Sequence, residues 1–231
     1  IAQNRIRNIG AASGGSGQYG NAINLYRADG VIVSANQVED CAFTAVRANS
    51  ASNAQIVNNS CTRLGEVAIY AEFAFEGAVI SGNIVDDAAS GISITNFNDG
   101  GRLAVCTGNL IRNLRFRDHY DRRGNGIGAE ADTLISGNVI ENAPGIGIAL
   151  GWGQYLRNVV ANANIIRNCG FGVGVSVTTG AGAAVITGNL IAGAKESAIR
   201  GFELDKPVGG ELLGQAAEKW PHLTISGNVA S

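Results

Sequence analysis

The chain has 231 residues, a formal net charge of −2, and low shares of aromatic (6%) and charged (16%) residues. A nearly neutral chain has no overall field that would attract nucleic acid or a membrane surface. No stretch approaches the ~20 consecutive apolar residues that span a bilayer. Glycine occurs 33 times and proline only 3 times, which favours many tight turns between short strands over a disordered linker.

A strand-turn phrase built on one asparagine recurs along the chain, as in VISGN, LISGN and VITGN. The eight asparagines lie 23, 24, 26, 29, 26, 25 and 39 residues apart, and a ninth copy opens the chain. Periods of about 20–50 residues indicate a repeat architecture. The repeat predicts a single domain over residues 1–231. In chain order its asparagines are Asn4, Asn36, Asn59, Asn83, Asn109, Asn138, Asn164, Asn189 and Asn228.

Each repeat contains two short apolar stretches. The first ends at the asparagine, and the second follows about nine or ten residues later, as in residues 91–94 and 126–129. Apolar and polar residues alternate in both, which is typical of half-buried strands. No window shows a sustained helical period. The predicted fold class is therefore all-β: a single-stranded parallel β-helix (solenoid) of about nine rungs.

The repeated asparagine suits a turn corner because it tolerates left-handed backbone angles. Stacked in register, its amide can also hydrogen-bond to the asparagines above and below. A second polar column follows four residues later. We assign both columns to architecture and none of these residues to a functional site. The second column consists of Asn8, Asp40, Asp87, Asn113, Asn142 and Asn168.

The four cysteines occupy different phases of the repeat, except for Cys41 and Cys169. These two lie five repeats apart, or about 24 Å of stacked strands, which is beyond the reach of a disulfide. We predict that Cys41, Cys61, Cys106 and Cys169 are free thiols that pack as small core residues. Cysteine usage therefore leaves the cellular compartment open.

The phrases VISGNIVDDAASGISI and LISGNVIENAPGIGIAL resemble the β-helix repeats of the pectin-lyase-like superfamily. That superfamily contains polysaccharide lyases, polygalacturonase-type glycoside hydrolases and alginate epimerases. The whole chain is most similar to the twin-arginine-translocated β-helix repeat proteins of alphaproteobacteria, a family without an assigned activity. The resemblance implies a right-handed coil and a periplasmic or secreted location. The chain begins at Ile1 without a signal peptide, and we expect a mature chain or a fragment of a longer protein.

The 29-residue interval carries an insertion, residues 114–124, that is rich in charge. It precedes the strand around residues 126–130, and we expect it to project beside the outer face of that strand. Outside this insertion, Glu130 is the nearest acidic residue. The chemistry-bearing residues of the insertion are Arg115, Arg117, Asp118, His119, Tyr120, Asp121, Arg122 and Arg123.

The two-residue alternation predicts which side chains point outward from the second strand of each repeat. They form a narrow polar strip with glycine at its centre, which predicts a trough beside the charged insertion. Trp152 and Tyr155 follow in the next repeat, and an exposed Trp152 would make a platform for sugar stacking. The strip consists of Arg47, Tyr70, Ser93, Gly128, Gly174 and Arg200, and then Asn49, Glu72, Thr95, Glu130 and Ser176.

Abstraction of the C5 proton of a uronate requires a base, an acid and a group that neutralises the carboxylate. His119 and Tyr120 are the candidates for base and acid, with the insertion arginines as a clamp on the carboxylate. The stretch from Asp118 to Asp121 resembles in part the Asp-Pro-His-Asp/Glu motif of alginate epimerases, but lacks the proline and has a tyrosine between histidine and aspartate. Hydrolysis is the alternative and needs paired carboxylates. Those candidates are Asp118, Asp121, Glu130 and Glu72.

These residues predict a carbohydrate-active protein that binds an acidic polysaccharide or oligosaccharide. If it is an enzyme, a lyase or epimerase is favoured over a glycoside hydrolase. The alternative is a non-catalytic binding or scaffolding protein of the cell envelope. We expect no cofactor and no nucleic-acid partner; scattered carboxylates leave calcium open, without a supporting motif. The candidate substrate-binding residues are Arg115, Arg117, Arg122, Arg123, Trp152, Tyr155, Tyr70, Glu72 and Arg47.

The 39-residue interval carries a second insertion, residues 201–222. Its apolar residues between Leu212 and Trp220 follow a helical period, which predicts a short helix that covers the flank of the coil. We assign His222 a structural role. Neither end of the chain shows a cap for the unpaired strand backbone of a solenoid, so an end-to-end or side-by-side oligomer is a further expectation.

Overall fold

The computed structural model describes residues 1–15, 19–95, 97–116, 123–214 and 219–231. Parallel strands wind into a β-solenoid of about 7 turns, which confirms the predicted fold class. The sequence analysis predicted about nine rungs, slightly more than the structure has. Apart from a 3-10 turn at Phe97–Asp99, the described residues are essentially free of helix. They include no helix long and apolar enough to cross a membrane.

Each turn of the coil has three strand faces. The first face is an eight-stranded parallel sheet. Its strands end just before the repeated asparagine. They are Ile32–Ser34, Ala54–Val57, Glu76–Ser81, Arg102–Thr107, Ala131–Ser136, Arg157–Asn162, Ala184–Thr187 and Leu223–Ser226.

The second and third faces belong to one sixteen-stranded sheet, because the long strands Ser60–Glu72 and Ile84–Ile94 run through both. The other strands of the second face are Arg5–Ile9, Gln37–Cys41, Leu110–Arg112, Val139–Glu141, Ile165–Arg167, Leu190–Ala192 and Val229–Ala230. The other strands of the third face are Ile23–Tyr26, Val46–Asn49, Ile127–Ala129, Ile146–Leu150, Phe171–Ser176 and Ser197–Glu203, with Lys206–Glu211 at its edge.

The core consists of columns of inward side chains, one column for each face. On the third face Ile69, Ile92 and Ile127 stack in register, and all three are at most 2% exposed. β-Branched residues suit this position because their side chains pack well on a pleated surface. The slender interior explains why the chain uses so few aromatic residues.

The repeated asparagines form the predicted amide ladder. The side-chain Nδ2 of Asn109 donates to Oδ1 of Asn138 at 2.9 Å, and the backbone N–H of Asn109 donates to the same oxygen at 3.0 Å. Every step from Asn4 to Asn228 repeats the side-chain bond, at 2.8–3.0 Å. The ladder therefore links all nine copies along one edge of the coil.

The prediction that these asparagines adopt left-handed backbone angles is wrong. The left-handed residue is the one before each asparagine, for example Gly82 with φ 64° or Ala35 with φ 54°. The ladder asparagines have ordinary backbone angles, and in each pair the backbone N–H and the side-chain Nδ2 of one asparagine donate to the same Oδ1, as at Asn109. The second polar column does take the left-handed conformation, as at Asn113 with φ 57°.

All four cysteines are free and buried, as predicted. Cys106 stacks between Ile80 and Ile135 in the inward column of the first face, and Cys61 lies between Val38 and Val85 in that of the second face. Burial raises the pKa of the Cys61 and Cys106 thiols to about 12, and that of Cys41 and Cys169 to about 11. Each cysteine therefore acts as a small core residue.

We expect the native protein to resist thiol labelling, because the thiolate is the reactive form and all four thiols are buried with raised pKa values. Ellman's reagent should label none of the cysteines in buffer and all four in urea. A Thr224→Cys variant, at an exposed position, provides the positive control and should react at once. Rapid labelling of the wild type would place at least one cysteine outside the core.

The second insertion begins with a hairpin that the sequence analysis did not predict. Strand Lys206–Glu211 pairs antiparallel with Ser197–Glu203. The carboxylate of Glu211 accepts hydrogen bonds from the backbone N–H groups of Ala198, Ile199 and Leu213, at 2.7–2.9 Å. The predicted helix between Leu212 and Trp220 has its centre at 215–218, outside the described residues. His222 lies 3.2 Å from the carbonyl oxygen of Ser176, in keeping with a structural role.

Candidate functional site

The outer surface of the third face carries an open cleft of about 610 Å³. The predicted strip lies in one register column: Arg47, Tyr70, Ser93 and Gly128 are successive strand partners. Beyond Gly128 the column continues through Ala149, which the sequence analysis had omitted, to Gly174 and Arg200. The trough predicted from small residues in mid-strip therefore exists.

Gly128 forms the floor of this cleft. A Cβ atom added at Gly128 would have no described atom within 4 Å, so the missing side chain leaves open space. The neighbouring strip residues Ser93 and Ala149 are also small, and both line the cleft. Small residues therefore line the middle of the cleft, and larger side chains such as Tyr70 and Trp152 line its ends.

One end of the cleft is a buried ion cluster. Arg47 Nε donates to Glu72 Oε1 at 2.6 Å, Arg47 Nη2 donates to Glu72 Oε2 at 3.1 Å, and Nη1 lies 3.7 Å from Glu66 Oε2. The side chains of Arg47, Glu72 and Glu66 are only 10%, 4% and 2% exposed. The guanidinium also stacks on Tyr70, 4.7 Å from the ring centroid. Arg47, Tyr70 and Glu72 were predicted as outward residues, but these mutual contacts bury them.

The cluster holds two carboxylates for one guanidinium. Burial raises the pKa of Glu72, opposed by its bonds to Arg47 and by the hydrogen bond from Asn49 Nδ2 at 3.2 Å. Glu66 accepts a further hydrogen bond from the Thr44 hydroxyl at 3.2 Å. Sequence reasoning missed Glu66 because it lies at the corner between two faces, where the two-residue alternation does not apply.

Glu130 lines the cleft on its other side. Its Oε2 accepts a hydrogen bond from the backbone N–H of Phe97 at 2.6 Å. This bond holds the 3-10 turn at Phe97–Asp99 beside the cleft. The Phe97 ring in turn contacts Tyr155 edge to face, with centroids 6.0 Å apart. Tyr155 therefore packs against Phe97 and is not among the described residues that line the cleft.

The far wall consists of Trp152 and Arg123. Trp152 is half-buried rather than fully exposed, because the Arg123 guanidinium lies 4.2 Å from its ring centroid. Arg123 also pairs with Asp205, with Nη1 and Oδ1 3.1 Å apart. Asp205 belongs to the turn of the hairpin at the start of the second insertion. The ends of the two insertions, which interrupt the repeat far apart in sequence, thus meet across the third face.

The structure brings together only some of the predicted site residues. Arg47, Tyr70, Glu72, Arg123, Glu130 and Trp152 line one cleft. Arg115 instead pairs with Asp87, with Nε and Oδ1 2.5 Å apart, and is not among the described lining residues. Six further candidates lie outside the described residues and stay predictions: Arg117, Asp118, His119, Tyr120, Asp121 and Arg122.

Across the described parts of the chain, no three His, Cys, Asp or Glu side chains come together as a set of metal ligands. The cleft instead offers hydrogen-bonding and aromatic groups. Its described charged residues are two arginines and two glutamates: Arg47, Arg123, Glu72 and Glu130. Such a site can bind a polar ligand with apolar faces.

Comparison with known proteins gives no family assignment. No protein-family model matches the chain, and no curated protein matches its sequence.

Proposed function

We propose that the protein binds an oligosaccharide segment of an acidic polysaccharide in the cleft over Gly128. The observation that carries this proposal is the combination of an open glycine floor, polar walls and the Trp152 ring in one cleft of about 610 Å³. Ligand sites usually have such volumes and a few well-placed polar groups. Trp152, which is half-buried, offers apolar ring surface to a sugar, while its surroundings offer hydrogen bonds.

The acidic character of the ligand rests on Arg123. Its partner Asp205 has a side chain that is 74% exposed, and exposed ion pairs contribute only about 0–1 kcal/mol. A carboxylate on the ligand can therefore replace Asp205 at little cost. Arg47 is different, because its guanidinium already binds the buried carboxylates of Glu72 and Glu66. It therefore forms part of the cleft wall and is not assigned to binding a carboxylate of the ligand. Arg117 and Arg122, which the sequence analysis predicted as substrate-binding residues, would add positive charge for binding a ligand carboxylate.

Turnover is a further part of the proposal. Elimination or epimerisation would draw its base and acid from His119 and Tyr120, and hydrolysis would use Glu130 with a second carboxylate. Membership of the pectin-lyase-like superfamily and a periplasmic or secreted location belong to the same proposal. The β-helix fold is compatible with carbohydrate-related function, which supports these assignments at the level of fold alone.

Filling the cleft should weaken binding without disturbing the fold. We expect Gly128→Leu to weaken binding of oligouronates by about tenfold or more, equivalent to about 1.4 kcal/mol. The leucine has room because a Cβ at this position meets no described atom. The measurement is calorimetric titration with pectate, alginate and hyaluronan fragments, with a neutral glucan for comparison and absorbance of unsaturated products as the readout for elimination.

Gly210→Leu is the matched control, since Gly210 is exposed outside the cleft and a Cβ there also meets no described atom within 4 Å. It should bind as the wild type does. Equal binding by Gly128→Leu would remove the cleft from the proposal. A wild type that binds none of the saccharides would favour the non-catalytic scaffolding alternative.

A further inference from the structure

A second cleft of about 500 Å³ lies on the third face, beside the first. Its lining differs in chemistry: apolar rings and aliphatic side chains replace the ion cluster. Among its walls are Phe116, Ile146, Trp152, Phe171, Phe202 and Leu204. Volume and lining are those of a site for an apolar group, and the sequence analysis did not identify it.

The rings of this second cleft are arranged for aromatic contact. Phe171 and Phe202 meet edge to face, with centroids 5.1 Å apart and an interplanar angle of 83°. A Cβ added at Gly174 would lie 3.0 Å from Phe202 Cε2, so the glycine leaves room for that ring on the strand. Edge-to-face and offset stacking favour aromatic partners beyond simple burial of area.

Two apolar side chains of the second cleft are exposed to solvent: Phe116 by 65% and Leu204 by 53%. Each comes from a different insertion, and both face the same cleft. Clustered apolar exposure in a concave site marks a binding surface more often than scattered exposure does. A bound ring would remove both side chains from water.

The two clefts are adjacent and share part of their lining. Both are lined by Arg123, Asn125, Ala149, Gly151 and Trp152. One ligand can therefore lie on both sides of the Arg123–Trp152 stack, with a polar portion over Gly128 and an apolar portion against Phe171. The lining of the second cleft also includes two exposed residues of opposite charge, Lys195 and Glu196. Since their charges balance, we expect the second cleft to select its ligand by shape and apolar contact.

We infer that the second cleft binds an aromatic ring, and that the natural ligand is a saccharide substituted with an aromatic group. The second half of this inference rests on the proposed saccharide site; the first half does not. The aromatic ring packs among Phe116, Phe171 and Leu204, and the sugar extends past Trp152 into the first cleft.

Two probes separate the two halves: 4-methylumbelliferone, which is aromatic only, and its glucuronide, which adds a uronate. We expect the wild type to bind both, with the glucuronide bound about tenfold more tightly. The variant Phe116→Ser/Leu204→Ser should lose about tenfold in affinity for both probes. Its matched control is Tyr26→Ser/Leu103→Ser, which changes two side chains that are 63% and 48% exposed away from the cleft and should bind normally.

Gly128→Leu should keep the affinity for 4-methylumbelliferone and lose only the extra affinity for the glucuronide. If Gly128→Leu keeps this difference, or if the wild type shows no difference between the two probes, the saccharide site is overturned and the aromatic site still stands. The inference itself is overturned if the wild type does not bind 4-methylumbelliferone, or if Phe116→Ser/Leu204→Ser binds it as well as the control variant does.

Discussion

Replacement of Arg47 by methionine is expected to lower the free energy of unfolding by about 3–5 kcal/mol, the usual cost of removing one partner from a buried ion pair. The methionine fills most of the volume, but it leaves two carboxylates that are 4% and 2% exposed without their cation. Glu72 also loses two hydrogen bonds from the guanidinium, at 2.6 and 3.1 Å. Urea denaturation at neutral pH measures the loss.

The loss should depend on pH. Burial already raises the pKa of Glu72 in the wild type, and without Arg47 the folded-state pKa rises further. A carboxyl group with a raised folded-state pKa stabilises the fold fully below its unfolded-state pKa of about 4.3 and loses that contribution as the pH rises through the folded-state value. Arg47→Met should therefore be closer to the wild type at about pH 4 than at about pH 7.

Arg63→Met provides the matched control. Arg63 makes the same kind of contacts, with Nε 2.6 Å from Asp40 and Nη2 2.8 Å from Glu39, but its side chain is 45% exposed. Its loss should cost much less than the loss of Arg47, because solvent screens an exposed ion pair. Addition of Glu72→Gln to Arg47→Met should restore part of the stability, because it removes one buried charge. Equal costs for the two arginine variants would mean that the cluster is hydrated in solution.

Most of the fold could be predicted from the sequence because the solenoid repeats one local pattern. The period of the asparagines predicted that equivalent strands of successive repeats stack on one another. The alternation of apolar and polar residues predicted which side chains, such as those of Ile92 and Ile127, point into the core. The left-handed corner was misassigned, although the signal was present: five of the ladder asparagines follow a glycine, at Gly82, Gly108, Gly137, Gly188 and Gly227. In the structure these glycines, rather than the asparagines, have positive φ.

The site could be predicted only where it follows the repeat. The column from Arg47 to Gly128 emerged from alternation alone. The contacts of Glu66 with Arg47 and of Arg123 with Asp205 involve a corner residue and two insertions, which have no counterpart in neighbouring turns. The same alternation, continued two residues beyond Arg200, would have placed Phe202 on the outer face.

Replacement of Asn109 by alanine, in the middle of the ladder, is expected to cost about 3–5 kcal/mol, because each buried donor left unsatisfied costs about 1–3 kcal/mol. Asn109 Oδ1 accepts from the backbone N–H and the Nδ2 of Asn83, both at 3.0 Å. Its own Nδ2 donates to Asn138 Oδ1 at 2.9 Å and to the carbonyl oxygen of Ile80 at 3.1 Å. The substitution interrupts the ladder on both sides, and urea denaturation measures the cost.

Two further variants separate hydrogen bonding from the loss of volume. Asn109→Asp keeps the size of the side chain but places an acceptor against the Asn138 and Ile80 oxygens, so it should cost at least as much as alanine at neutral pH. Asn4→Ala removes a ladder amide that is exposed and makes one side-chain bond to Asn36, at 2.9 Å, and its cost should stay near about 1 kcal/mol. If Asn109→Asp were as stable as the wild type, packing rather than the amide ladder would hold this edge of the coil, and the period of the asparagines would need another physical explanation.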